Sequence, residues 1–200
     1  MESNEFSAMQ LDALAEVGNI GAGNAATALS QLISKKVDMT VPSVNIIPFQ
    51  EVFDRVSSEE VVIGVIIRVL GDTPGNILFT FDYKAAVNVV ELLTDNKVES
   101  IDELGESALC EIGNIISATY MNAIGNFTQL SITPSVPAIT QDMLGAILST
   151  TFIESEQFDD YVLDIETIFL NEDYENIGGH FYYVPKPGSL EKILKALGVG

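Results

Sequence analysis

Two pairs of residues carry the chemistry this sequence can offer: Glu16 with Asn19, and Glu111 with Asn114. Each pair sets a carboxylate, ionised at neutral pH, three residues before a carboxamide that hydrogen-bonds without titrating. Such a pair would point at solvent or at a partner. The single His180 and single Cys110 leave no means of assembling a Ser-His-Asp or Cys-His apparatus, or a transition-metal site.

Both pairs belong to a longer pattern, Asp12-x3-Glu16-x2-Asn19-x22-Pro42 and Ser107-x3-Glu111-x2-Asn114-x22-Pro137, offset by 95 residues at every step. A constant offset reads as two copies of one unit, about residues 1–99 and 100–200. On a helix, Glu and Asn three apart share a face, which Asp12 and Gly23 extend, while the apolar stripe begins about 200° away. An isolated Glu and Asn on such a face is usually only solvated. Here other exposed positions differ between the copies (Gln10 against Gly105, Asn24 against Thr119, Gln31 against Asn126), whereas Glu and Asn do not. Small residues beyond the pairs, Gly21 to Gly23 and Ser117 to Ala118, would let another protein's surface approach closely.

Long helices must position these rows. Ser7-x-x-Gln10 and Ser100-x-x-Glu103 have the form of capping boxes. Leu14, Gly18, Gly21, Ala25, Ala28 and Leu32 make one apolar stripe, and Leu109, Gly113, Ile116, Tyr120, Ala123 and Phe127 the other. Lys35 and Lys36 suit the first helix's carboxyl end. Extended segments follow over Val37–Phe49 and Leu130–Ile139, each holding the motif proline, which belongs at an edge, bulge or turn. Further strand-like runs are Val61–Leu70 with Ile77–Phe81, and Tyr161–Leu170 with Ile177–Tyr183, joined by turns at Gly71–Gly75 and Asn171–Glu175. Helices near Tyr83–Thr94 and Ser189–Leu197 close the halves. The link Asp95–Glu99 is too short to separate domains. The expected fold class is α+β: a single pseudo-two-fold-symmetric domain whose repeated halves, each with a long helix, about three strands and a closing helix, share one β-sheet.

A content of 47% hydrophobic residues places the chain among globular proteins. Its formal charge of −20 repels phosphate backbones and anionic membrane surfaces, which argues against nucleic-acid and membrane roles. The longest apolar run, Val61–Leu70, contains Arg68 and is shorter than the roughly 20 residues of a spanning helix. An acidic beginning, unlike a secretory signal, and a lone cysteine point to the cytoplasm. Gly18-x-x-Gly21-x-Gly23 follows no strand and lacks Gly-Lys-Ser/Thr, so it is not read as a nucleotide loop. His180 reads as structural or surface. Asp159, Asp160 and Asp164, like Glu172, Asp173 and Glu175, read as solvated turns rather than cation cages, so no metal is expected.

At these motifs the chain resembles the CheC family of chemotaxis phosphatases, within the CheC/CheX/FliY group, whose signature is Asp/Ser-x3-Glu-x2-Asn-x22-Pro. The resemblance spans essentially the whole chain, with both signatures intact. It implies hydrolysis of the aspartyl phosphate on the response regulator CheY. Asn19 and Asn114 would orient the attacking water, and Glu16 and Glu111 would anchor the receiver's active-site lysine. Asp12, Pro42, Ser107 and Pro137 would support helix and strand geometry. The protein would need no cofactor of its own, with magnesium on the phosphorylated partner. The resemblance also implies binding of the receptor deamidase CheD through Thr140–Ala146, with Asp142 as the contact. That aspartate reads equally well as a helix-start residue. The alternative to catalysis is a module that sequesters receiver or CheD; a small-molecule enzyme finds no support in the residues. With two signatures in one chain, a monomer is expected.

Overall fold

Ser7 starts the first long helix as its spacing predicts. The computed structural model describes residues 6–55, 57–154, 161–171 and 179–200. Helix α1 runs Ala8–Ile33; Ser7 Oγ accepts the Gln10 N–H at 3.3 Å while Gln10 Oε1 accepts the Ser7 N–H at 2.8 Å, a complete capping box.

The second long helix corrects the sequence reading. It spans Glu103–Thr128 (α4 in chain order) and is capped by Asp102, whose Oδ1 accepts the Gly105 N–H at 3.0 Å, not by Ser100. Ile101, the residue before the cap, packs over Gly105, where a Cβ would lie 3.0 Å from Ile101 Cγ2. That apolar contact fixes the turn at Asp102. Both expected stripes span 18 residues, five whole turns with no net rotation, yet Leu32 and Phe127 at their ends are exposed, while Leu29, Ile33 and Ile124 are buried. Lys35 and Lys36 directly follow the Ser34 C-cap of α1, and Lys36 Nζ pairs with Asp38 Oδ2 at 2.8 Å.

The expected extended segments divide at their prolines. In the first half they form β1 (Asp38–Met39) and β2 (Ser43–Pro48), and in the second β5 (Ile132–Pro134) and β6 (Ala138–Met143). Strands β3 (Val61–Gly71) and β4 (Gly75–Phe81) are followed by α3 (Tyr83–Thr94); β7 (Tyr161–Glu166), β8 (Phe169–Leu170) and β9 (His180–Pro185) by α6 (Ser189–Ala196). The expected turn beyond Asn171, the strand residues before Gly179, and Asp159, Asp160, Glu172, Asp173 and Glu175 lie outside the described residues. Two short helices were not expected, α2 (Phe49–Arg55) and α5 (Leu144–Glu154).

The main sheet is antiparallel in the order β2-β7-β9-β4-β3-β5, with β6 also on β3. Its registers interleave the halves. Pro48 opposes Tyr161 where β2 meets β7, and Met143 opposes Val61 where β6 meets β3, so each proline-led strand pairs with the other half. At the centre, β4 and β9 pair with Phe79 opposite Phe181. The pseudo-two-fold axis passes between these two rings.

Both sheet faces are covered. Along β3, Ile63, Val65, Ile67 and Val69 enter the core beneath α1, α3, α4 and α6, while Val62 and Ile66 face α2 and α5. Burial on both faces explains why this strand reads as a continuous apolar run rather than an alternating one. Helices α1 and α4 approach closely where Tyr120 sits over Gly21, at which a Cβ would lie 2.6 Å from the ring. The Tyr120 hydroxyl shares a buried hydrogen bond of 2.9 Å with Thr167 Oγ1, and burial pushes its pKa up to about 12.

Candidate functional site

Both Glu/Asn pairs lie outward on the two long helices. On α1, Asp12, Glu16 and Asn19 are exposed, while Leu14, Val17, Gly18 and Gly21 are buried on the opposite side. On α4, Ser107 and Glu111 are exposed and Asn114 is half-buried, above buried Leu109, Ile112 and Gly113. Three residues of helix separate each Glu from its Asn by a rise of about 4.5 Å, so both side chains can meet one small target.

The glycine before each asparagine seats the row. A Cβ at Gly18 would lie 2.9 Å from Val44 Cγ2 on β2; at Gly113 it would lie 2.7 Å from Val65 Cγ1 on β3. Only a hydrogen in place of a side chain lets the helix rest so near the sheet at both places. The motif prolines occupy the breaks between β1 and β2 and between β5 and β6, Pro42 buried and Pro137 half-buried. There the chain leaves one strand pairing and enters the next, and a residue without an N–H loses no ladder bond.

Electrostatically the rows are open. Among the described residues, no hydrogen bond or ion pair engages the side chains of Glu16, Asn19, Glu111 or Asn114. Ser107 Oγ instead donates to the Glu103 carbonyl of its own helix at 2.9 Å, a local bond that turns the hydroxyl away from a partner. Gly23, at the far end of the first row, would meet nothing within 4 Å if given a Cβ. Its space is open to an approaching surface.

Asp142 is exposed near the end of β6, two residues before α5, and its Oδ1 accepts the Met143 N–H at 2.7 Å. The segment Thr140–Ala146 is thus a strand end joined to a helix start. His180 is exposed, stacks on Tyr182 with ring centroids 5.8 Å apart, and brings Nδ1 to 3.9 Å from Asp164 Oδ1. The Asp164 partner raises the histidine pKa, against a smaller opposing effect of burial. Asp164 is buried in β7, not in a solvated turn as its neighbours in sequence implied. Among the described residues no group of three or more His, Cys, Asp or Glu side chains could hold a metal ion, and no helix is long and apolar enough to cross a membrane.

A model of the CheC-like family matches residues 9–46 and 104–140, two segments that contain both rows. The CheY-P phosphatase CheC of Bacillus subtilis is 36% identical over 196 residues, covering 94% of each chain. The chain belongs to the CheC-like family. The flagellar motor switch phosphatase FliY of B. subtilis matches this CheC-like chain more locally, 45% identical over 64 residues, or 32% of the chain and 17% of FliY. Thermotoga maritima FliY has the same fold, with a TM-score of 0.76 at 20% identity over 96% of this chain and 98% of that one. The FliM middle domain of H. pylori shares it too, at a TM-score of 0.69 and 11% identity, covering 95% and 99%.

Proposed function

We propose that this CheC-like protein ends chemotactic signals by hydrolysing the aspartyl phosphate of CheY. The observation that carries this reading is the pair of outward, unengaged Glu/Asn rows at equivalent positions of a chain 36% identical to a CheY-P phosphatase. A water oxygen attacks phosphorus in line, the bond between phosphorus and the aspartate oxygen breaks, and aspartate and inorganic phosphate leave with one proton released. On the phosphorylated receiver, magnesium and a lysine already neutralise the acyl phosphate, so the helper has mainly to place the water. The carboxamides of Asn19 and Asn114 orient it, and Glu16 and Glu111 take the receiver lysine and fix the docking register. A gain of about 100-fold needs about 2.7 kcal/mol, which one well-placed hydrogen-bonding group in a dry interface can supply.

Asp12, Ser107, Pro42 and Pro137 support the rows. The same proposal holds that the chain is a cytoplasmic monomer of two repeated units with no cofactor of its own. It also holds that CheD docks on Thr140–Ala146 through Asp142. Asp142→Lys should then abolish CheD capture in a pull-down; undiminished capture removes that contact.

Decay of CheY labelled on its aspartyl phosphate, with magnesium present, tests the catalytic reading. Wild type should accelerate decay, and a variant with Glu16, Asn19, Glu111 and Asn114 all changed to Ala should not. If wild type binds phosphorylated CheY without accelerating decay, the protein is a sequestering module instead.

A further inference from the structure

Each Glu/Asn row carries a large apolar side chain in open solvent, and the same two positions are apolar in both halves. Met9 is 67% exposed and Leu104 64%; Val41, just before the first motif proline, is 81% exposed and Val136, before the second, 87%. Each pair is separated by the 95 residues that separate the signatures. A lone exposed hydrophobe needs no explanation. Here, however, the polar positions Gln10, Asn24 and Gln31 have different residues at their equivalents, while these solvent-facing positions stay apolar.

Their placement follows from helix and strand geometry. Met9, Asp12, Glu16, Asn19 and Gly23 fall within about 80° of the α1 surface, with Met9 about 20° from Glu16 and two turns before it. Leu104 stands in the same relation to Glu111. Val41 is three residues before Val44, against which Gly18 rests, so it lies within about 10 Å of that contact. In the second half Val136 is three residues before Ile139, which opposes Val65, the residue beneath Gly113. Each half thus carries one exposed apolar residue on the face of its Glu/Asn row and another on its proline segment.

We infer that Met9 with Val41, and Leu104 with Val136, form apolar collars that grip a phosphorylated receiver domain around its phosphoryl site and exclude bulk water from the Glu/Asn pair. The inference rests on the phosphatase reading and adds to it the residues that set receiver affinity. A contact of this kind surrounds a few polar groups with side chains whose task is to keep water out. Dryness matters here because the ion pair between the row's glutamate and the receiver lysine, which holds the complex together, is stronger where solvent cannot compete. Charge selects the occupant. The first row is anionic at Asp12 and Glu16, which suits a face with a lysine beside its phosphoryl group, whereas a second copy of this chain, at −20, would set like-charged rows together. The matching surface on the receiver is an apolar patch flanking its active-site lysine.

The two halves allow a test with one site silenced. In an Asn114→Ala background, Met9→Ser with Val41→Ser should raise the KM for phosphorylated CheY about tenfold or more and leave kcat within about twofold. Leu104→Ser with Val136→Ser should do the same in an Asn19→Ala background. Met9→Leu with Val41→Ile should restore affinity, and of the two sites that bind beryllofluoride-loaded CheY, only the serine-changed one should weaken, in step with KM. All four positions are exposed, so thermal unfolding of the serine variants should match the parent. An unchanged KM, or a fall in kcat alone, overturns the collar while leaving the phosphatase reading intact. No acceleration by wild type removes the phosphatase reading itself. A wild type that self-associates and is made monomeric by the serine changes would show that the collars cover a second copy, which also overturns the inference.

Discussion

The first half exposes Asp12, Glu16 and Asn19 to solvent, whereas the second exposes Ser107 and Glu111 and half-covers Asn114. The position one turn before the glutamate differs most. Ser107 turns its hydroxyl back onto the Glu103 carbonyl at 2.9 Å, while Asp12 holds a carboxylate that engages no partner among the described residues. One residue spends its hydroxyl on its own helix and the other adds charge to its row. What the rows share, beyond Glu and Asn, is the glycine that lowers the helix onto the sheet and the proline that breaks the edge strand. The comparison teaches that geometry is common to the halves while charge and access are not.

The largest effect should come from separating the sites. Asn19→Ala and Asn114→Ala should each reduce turnover at their own site by about 100-fold. Because Asn19 is the more exposed, Asn19→Ala should remove more than half of the stimulated decay of phosphorylated CheY and Asn114→Ala less than half. Equal losses would erase the asymmetry.

Next comes stability. A methyl at position 113 would press on Val65, a buried β-branched residue of an inner strand, and one at position 18 on the half-buried Val44 of an edge strand. Overpacking costs about 1–3 kcal/mol, partly offset by about 1 kcal/mol of better helix propensity for Ala over Gly. Chemical denaturation should therefore show Gly113→Ala destabilised by up to about 2 kcal/mol and Gly18→Ala close to wild type. A reversed order would mean that β2 yields less than β3.

A smaller effect should follow from making the rows alike. Asp12→Ser, measured in an Asn114→Ala background, should raise the KM for phosphorylated CheY about two- to threefold at low salt and not at high salt, as for an exposed charge. A salt-independent change would assign Asp12 a structural role like that of Ser107.

The smallest concerns the sheet. Across the pseudo-axis His180 corresponds to Leu78, which is buried, and only the second half carries the His180–Asp164 pair. Asp164 raises the His180 pKa in the folded protein. The stabilisation is therefore fully present below the unfolded value of about 6.5 and is lost as pH rises through the folded value. The melting temperature of wild type relative to His180→Gln should thus be higher at pH 6 than at pH 8. A difference independent of pH would dismiss the pair.

Spacing made the rows legible in the sequence, because Glu, Asn and Pro recur at one offset and a helix places residues three apart on one face. The Ser7 cap was legible for the same reason, its partner Gln10 lying at the required distance. Ser100 misled because Asp102 competes for the same role and Ile101, by packing over Gly105, decides between them. Helices α2 and α5 were missed since Phe49–Arg55 and Leu144–Glu154 continue directly from strands and are too short for their period to stand out. The exchange of β2 and β6 between halves depends on registers such as Pro48 with Tyr161. No local pattern encodes those pairings, and along β3, the partner of β6, both faces are apolar, so alternation gives no register there.

The central claim is that the asparagines act on the bound water and not on binding. Single-turnover decay of phosphorylated CheY with the Asn19→Ala/Asn114→Ala double variant tests it most directly. The predicted result is decay at the spontaneous rate with affinity for phosphorylated CheY preserved; decay at the wild-type rate would contradict the account.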